Sequence, residues 1–166
     1  MAAYIELVRA HTHLLTLLAP IIGAGLAMTY PAPRVSWCIA VVAMLATTLI
    51  AIDAAARTLV GGGDIASIVE GVPLHADGVG VFGAALIACV TLLIVIAAGA
   101  QLDVFEKRVG PFALALLLCM AGGWIGALAS RDLAGVFVAV ETAWLAAIGL
   151  LALSPQRGAL NGAMRM

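Results

Sequence analysis

Residues 132–153 read "DLAGVFVAVETAWLAAIGLLAL", an aspartate followed by a long apolar run in which Glu141 is the one charged side chain. A helix crossing a membrane needs about 20 predominantly apolar residues to traverse a hydrocarbon core of about 30 Å. This run has that length. Glu141 comes eight residues after Leu133, so a rise of about 1.5 Å per residue places it about 12 Å into the bilayer, near its midplane.

The same reading extends to the whole chain. Of its 166 residues, 64% are hydrophobic and 10% charged, with a mean hydropathy of +1.18, which is the composition of an integral membrane protein. Five apolar stretches predict an all-α, single-domain membrane protein with spans at about 13–30, 35–56, 78–100, 111–130 and 133–153. The segments between them are rich in breakers: "YPAPR" at 30–34, "GGGD" at 61–64, "LDVFEKRVGP" at 102–111, "SRD" at 130–132 and "SPQRG" at 154–158. Pro111 suits the first turn of the fourth helix, where a missing N–H costs nothing, and Asp132 is placed to cap the fifth. The longest connection, 57–77, contains "DIASIVEGVPLHAD", which has room for a short interfacial strand or turn.

The N-terminal "MAAYIELVRAHTHLLTLLAPII" has no A-x-A-type cleavage site before Tyr30, so a retained first span is expected, and a mitochondrial transit peptide is not evident. Five spans place the termini on opposite sides. Arg34, Lys107, Arg108, Arg157 and Arg165 fall on one side and Arg9, Arg57 and Arg131 on the other, which favours an external N-terminus and a cytoplasmic or matrix C-terminus. A bacterial cytoplasmic membrane fits better than a mitochondrial inner membrane.

A net charge of −1 provides no basic field for nucleic acid, and no Cys/His spacing suits zinc or iron, so neither metal nor cofactor is expected. Cys38, Cys89 and Cys119 lie in apolar runs and read as small buried hydrophobes. Nucleophile, zincin and phosphate-loop motifs are absent, so the sequence offers no catalytic site.

What remains is the handling of protons. A carboxylate at mid-depth costs about 3 kcal/mol on insertion scales, and such groups face a bundle interior, water or a partner. Apolar surroundings favour its neutral form, and this makes Glu141 the candidate proton site, against a structural role as a neutral hydrogen-bond donor. Asp53 and Arg57, four apart at the end of the second span, read as an interfacial pair. His11, His13 and His75 read as interfacial side chains, Trp37 as an anchor at a span end, and Trp124 and Trp144 as packed deeper in the protein. In "MAGGWIGALAS" (120–130), Gly122, Gly126 and Ser130 recur every fourth residue, a small-residue face for close helix packing.

The run "PFALALLLCMAGGWIGALASRDLAGVFVAVETAWLAAIGLLALSPQRGALNGAMRM" (111–166) resembles the fourth and fifth helices of the antiporter-like subunits of respiratory complex I, relatives of Mrp-type cation/proton antiporters, and among these the N-subunit type. The pattern D-L-x-x-x-[FY]-x-x-x-E is matched by Asp132, Leu133, Phe137 and Glu141. "HADGVGVFGAAL" (75–86) and "LLTLLAPII" (14–22) extend the resemblance weakly upstream.

The resemblance implies that Glu141 is the fifth-helix glutamate of a proton path. It also implies a lysine partner on a later, broken helix, and Lys107, the one lysine here, lies in a loop and does not match it. The expectation is therefore a membrane-arm subunit of a proton-translocating NADH:quinone oxidoreductase assembly, contributing Glu141 and helix packing, with the remaining helices on another chain. The alternatives are a non-transporting accessory or assembly subunit of an energy-transducing complex, or a subunit of an Mrp-type antiporter.

Overall fold

The computed structural model describes residues 12–30, 32–61, 65–69, 72–101 and 109–153, with the side chains of 13, 61, 65–69, 72–76 and 101 left aside. Five long helices account for most of them: α1 (Thr12–Thr29), α2 (Pro33–Gly61), α3 (Gly78–Ala98), α4 (Val109–Ala129) and α5 (Leu133–Ala152). Helices α2 to α5 are each long and apolar enough to cross a membrane, and α1 adds a shorter apolar stretch, Leu14–Thr29. The chain is an integral membrane protein with an almost wholly helical fold.

The helix ends follow from local chemistry. Asp77 and Asp132 sit in extended backbone before α3 and α5 and accept from the N–H groups of Gly80 (2.7 Å) and Gly135 (2.9 Å), satisfying donors that a first helical turn leaves unpaired. Pro111 is buried in the first turn of α4. Helix α2 runs on to Gly61, past the expected end near Ala56, because "ARTLV" contains no breaker and its residues tolerate helix.

Between α2 and α3 the chain forms an antiparallel ribbon, β1 (Ile65–Val69) with β2 (Val72–Ala76), in which Val69 faces Val72 and Ile65 faces Ala76. The segment "DIASIVEGVPLHAD" thus holds two short strands. Strand β2 lies against α1, α3 and α4, covering one end of the helical layer.

Helices α1, α2, α3 and α4 close a four-membered ring, each packed on the next and α4 returning to α1. Met44, Val95, Leu118 and Ile125 fill its centre among Ala24, Ala40, Ala88, Ala115 and Ala121, which keep the backbones close where lipid supplies no hydrophobic force between helices. Two polar ties lock the end of the ring opposite the ribbon. The buried Ser36 hydroxyl donates to the Ala27 carbonyl (3.0 Å), one of the carbonyls that α1 leaves unpaired at its C-terminus. The Trp37 indole donates to the Val95 carbonyl (2.8 Å), while the N–H of Gly99 turns to Ile96 in the tightened turn Gly99–Gln101. Trp37 is therefore a tie between α2 and α3 as well as an aromatic residue near a span end.

Helix α5 stands outside the ring, packed chiefly on α4. Its closest approach is at Gly123, where an added Cβ would lie 2.7 Å from the Ala139 carbonyl oxygen and 2.7 Å from the Ala143 nitrogen, both backbone atoms that cannot move aside locally. We expect Gly123→Ala to separate α4 from α5 and cost about 1–3 kcal/mol, the range for overpacking. At Gly25 an added Cβ meets nothing within 4 Å, so Gly25→Ala should be neutral or stabilising by up to about 1 kcal/mol. Unfolding of the two variants in the same detergent checks the contrast.

Candidate functional site

The seating of α5 decides what its other face presents. Ala143 and Ala146 are buried against α4, and Gly149 lies over Leu116. Positions three and four apart share a helix face, and on the face opposite these small residues Glu141 is exposed. Its neighbours one turn before and after are exposed too: Phe137 (64%), Val138 (63%), Trp144 (46%) and Leu145 (65%). Only 11% of the α5 span is buried in the protein, against 50% of the α4 span. Glu141 is therefore central to an apolar surface that the described helices leave uncovered.

Of the three settings expected for such a carboxyl, a bundle interior, water or a partner, the described helices do not provide the first. Both faces of α5 are apolar, so sequence pattern does not distinguish them. Geometry does, because the alanine and glycine face admits the close backbone approach that holds helices together in lipid. Glu141 forms no hydrogen bond or ion pair among the described residues, whereas Thr142 beside it donates to the Val138 carbonyl (2.8 Å).

The small-residue face of α4 has two neighbours. An added Cβ at Gly122 would meet Ile21 of α1 at 3.2 Å, and one at Gly126 would meet Leu17 at 3.0 Å and Ala139 of α5 at 3.4 Å. Ser130 donates to the Gly126 carbonyl (2.8 Å) and closes the row. Gly123, the tightest contact, was legible only as the second member of the "GG" pair and falls outside the four-residue spacing. Above this glycine floor, α1 and α5 flank a groove of about 460 Å³ lined by Leu17, Ile21, Val138 and Thr142, with Asp132 at one end.

The other expected residues lie apart from Glu141. Asp53 and Arg57 pair at 2.8 Å near the ribbon end of α2, and the same guanidinium nitrogen donates to Thr12 of α1 (3.1 Å), which makes the pair a tie between helices. Trp124 (43% exposed) and Trp144 face outward instead of packing in the interior, because alanine and glycine occupy the contact faces of α4 and α5. Cys38 is exposed and Cys89 and Cys119 are half-buried, all three free thiols, which corrects their reading as buried hydrophobes. His11 and the side chains of His13 and His75 lie outside the described residues, as do Lys107, Arg108, Arg157, Arg165 and Arg9. Among the described residues no cluster of His, Cys, Asp or Glu is arranged for a metal ion.

Inside the ring, a cavity of about 20 Å³ beside Thr16 has room for about one water, and no ionisable side chain lines it. Proton chemistry therefore has its candidate group on the outer face of α5, away from the ring interior. No protein-family model, curated protein or solved structure matches this chain.

A carboxyl left uncovered by the described helices, midway along an apolar span, is open to a reagent dissolved in lipid. In vesicles holding the chain alone, dicyclohexylcarbodiimide should modify Glu141, the acid O–H adding across one C=N bond with nothing released. Mass spectrometry of the α5 peptide locates the adduct. An unmodified Glu141 under conditions that label Asp132 would contradict the exposed placement.

Proposed function

We propose that the chain is a membrane-arm subunit of a proton-translocating assembly of the complex I type, in which Glu141 is a protonatable site completed by another subunit. The observation that carries this reading is the position of Glu141 at the centre of the uncovered face of α5. Ionisable side chains within spans are rare and mark ion paths and proton relays, where they pair with one another or face water. A lone carboxyl retained there without a partner on its own helices suits a group that waits for one in an assembly.

The sequence pattern agrees. Asp132 caps α5 with its side chain, and Leu133, Phe137 and Glu141 follow at the spacing that resembles the antiporter-like subunits. The proposed work is acid–base in kind. In the proposed scheme Glu141 takes up and gives back one proton as neighbouring groups in the assembly rearrange. The chain contributes no electron-transfer group to this scheme. An external N-terminus and a cytoplasmic C-terminus complete the reading, with a bacterial cytoplasmic membrane as the setting.

Glu141→Gln keeps size and hydrogen-bonding capacity while removing the proton site. We expect assembly of the complex to persist and its proton translocation, followed by quenching of a pH-sensitive dye in membrane vesicles, to be abolished. Unchanged translocation would overturn the relay and leave a structural, accessory role. Sodium-dependent proton flux blocked by the same variant would assign the chain to a cation/proton antiporter instead.

A further inference from the structure

We infer that the groove between α1 and α2 is a binding site for an anionic phospholipid, with one acyl chain in the groove and the phosphate at Arg34. The site shares no residue with the Glu141 face and stands apart from the role proposed there.

The groove, about 630 Å³, is walled by two apolar rows of side chains at four-residue spacing. On α1 the row is Leu18, Ile22 and Leu26. On α2 it is Cys38, Val42, Ala46 and Ile50. Residues four apart on a helix share a face, so the exposed Arg34 stands at the head of the α2 row, one turn before Cys38. Tyr30, half exposed, follows Leu26 at the same spacing just beyond the end of α1. Both apolar rows therefore run out, at the end opposite the ribbon, into a guanidinium and a phenol. From Cys38 to Ile50 the groove is about 18 Å long at a rise of about 1.5 Å per residue. One leaflet contributes about 15 Å to a hydrocarbon core of about 30 Å, so the groove has the length of a lipid tail.

The walls and the charge together select the occupant. Helices in lipid associate through small residues, as α4 and α5 do at Gly123. Here the rim is built from Ile22, Leu26 and Val42, all exposed, which hold a partner helix off and leave room between them for a thin, flexible chain. Gly23, where α1 meets Ala43 of α2, lies beneath and is buried by that contact. A second copy seated isologously on the same face would bring Arg34 against Arg34. A phospholipid suits both parts of the site, its tail lying in the apolar rows and its phosphate accepting from Arg34 and Tyr30. The arginine fork has five N–H donors and matches phosphate geometry, so it serves a phosphate alongside the contact that Arg34 keeps within the chain. A headgroup of net negative charge is favoured over phosphatidylcholine, whose own cation is repelled by the guanidinium.

Native mass spectrometry of the full-length chain tests this by counting lipids retained after titration in detergent. The probes are phosphatidylglycerol and phosphatidylcholine with the same two oleoyl chains. We expect the first phosphatidylglycerol to bind about fivefold more tightly than the first phosphatidylcholine, the scale of one basic side chain at an anionic surface. Arg34→Gln should remove that preference, and Arg131→Gln, between α4 and α5, should leave it unchanged. Val42→Trp and Leu26→Trp each fill the groove from an exposed position of one wall. Either should weaken phosphatidylglycerol binding severalfold while helix content, read by circular dichroism, stays the same. Equal binding of the two lipids, a preference that survives Arg34→Gln, or one lost equally in Arg131→Gln overturns the proposal. Unaltered phosphatidylglycerol binding in the folded tryptophan variants overturns it too, because the headgroup contact would then need no groove. Chain dimers that Val42→Trp abolishes overturn it in favour of self-association.

Discussion

A carboxyl group midway along an apolar helix, facing away from every described helix, is the constraint around which the rest of the structure is ordered. Its cost, about 3 kcal/mol on insertion scales, is not offset by any bond among the described residues. The orientation is itself a consequence of packing. Gly123 brings α4 against the backbone of α5 at Ala139 and Ala143, and this contact turns Phe137, Val138, Glu141, Trp144 and Leu145 outward. Were Gly123 any larger, α5 would lose the seat that fixes which way Glu141 points.

The two parts of the molecule differ in self-sufficiency. The ring of α1 to α4 is tied by polar contacts between its own helices, Ser36 with Ala27, Trp37 with Val95, and Arg57 with Thr12. It carries its core in Met44, Val95, Leu118 and Ile125 and encloses almost no free space. Helix α5 buries only Ala143 and Ala146, and its carboxyl has no partner among the described residues. Among the described helices the ring closes on itself and the fifth helix is covered on one face only.

Much of this was legible in the sequence because helix ends are written in local chemistry. Asp132 as a cap, Pro111 in a first turn, and the breakers flanking each span locate the helices to within a few residues, whereas the cap at Asp77 was not singled out. What was not legible is which way each helix turns. In soluble proteins a polar face marks the outside, but here both faces of α5 are apolar and the inside is marked only by small residues, a weaker signal. For the same reason Trp124 and Trp144 were assigned to the interior and proved to face outward, and the four-residue spacing of Gly122, Gly126 and Ser130 drew attention past Gly123. The strands β1 and β2 lay within an unassigned connection, where a short alternating segment split by Glu-Gly is a faint signal. The candidate proton site was found by the one property that sequence states plainly, its charge.

The central claim is the outward facing of α5 around Glu141, and a nitroxide scan of residues 137–146, read by collision with oxygen dissolved in the bilayer, tests it most directly. The account predicts that oxygen reaches labels at 137, 138, 144 and 145 freely and labels at 139, 143 and 146 poorly, with the helical period of about 3.6 residues. Greatest access at 139, 143 and 146 would place Glu141 against α4 and contradict it.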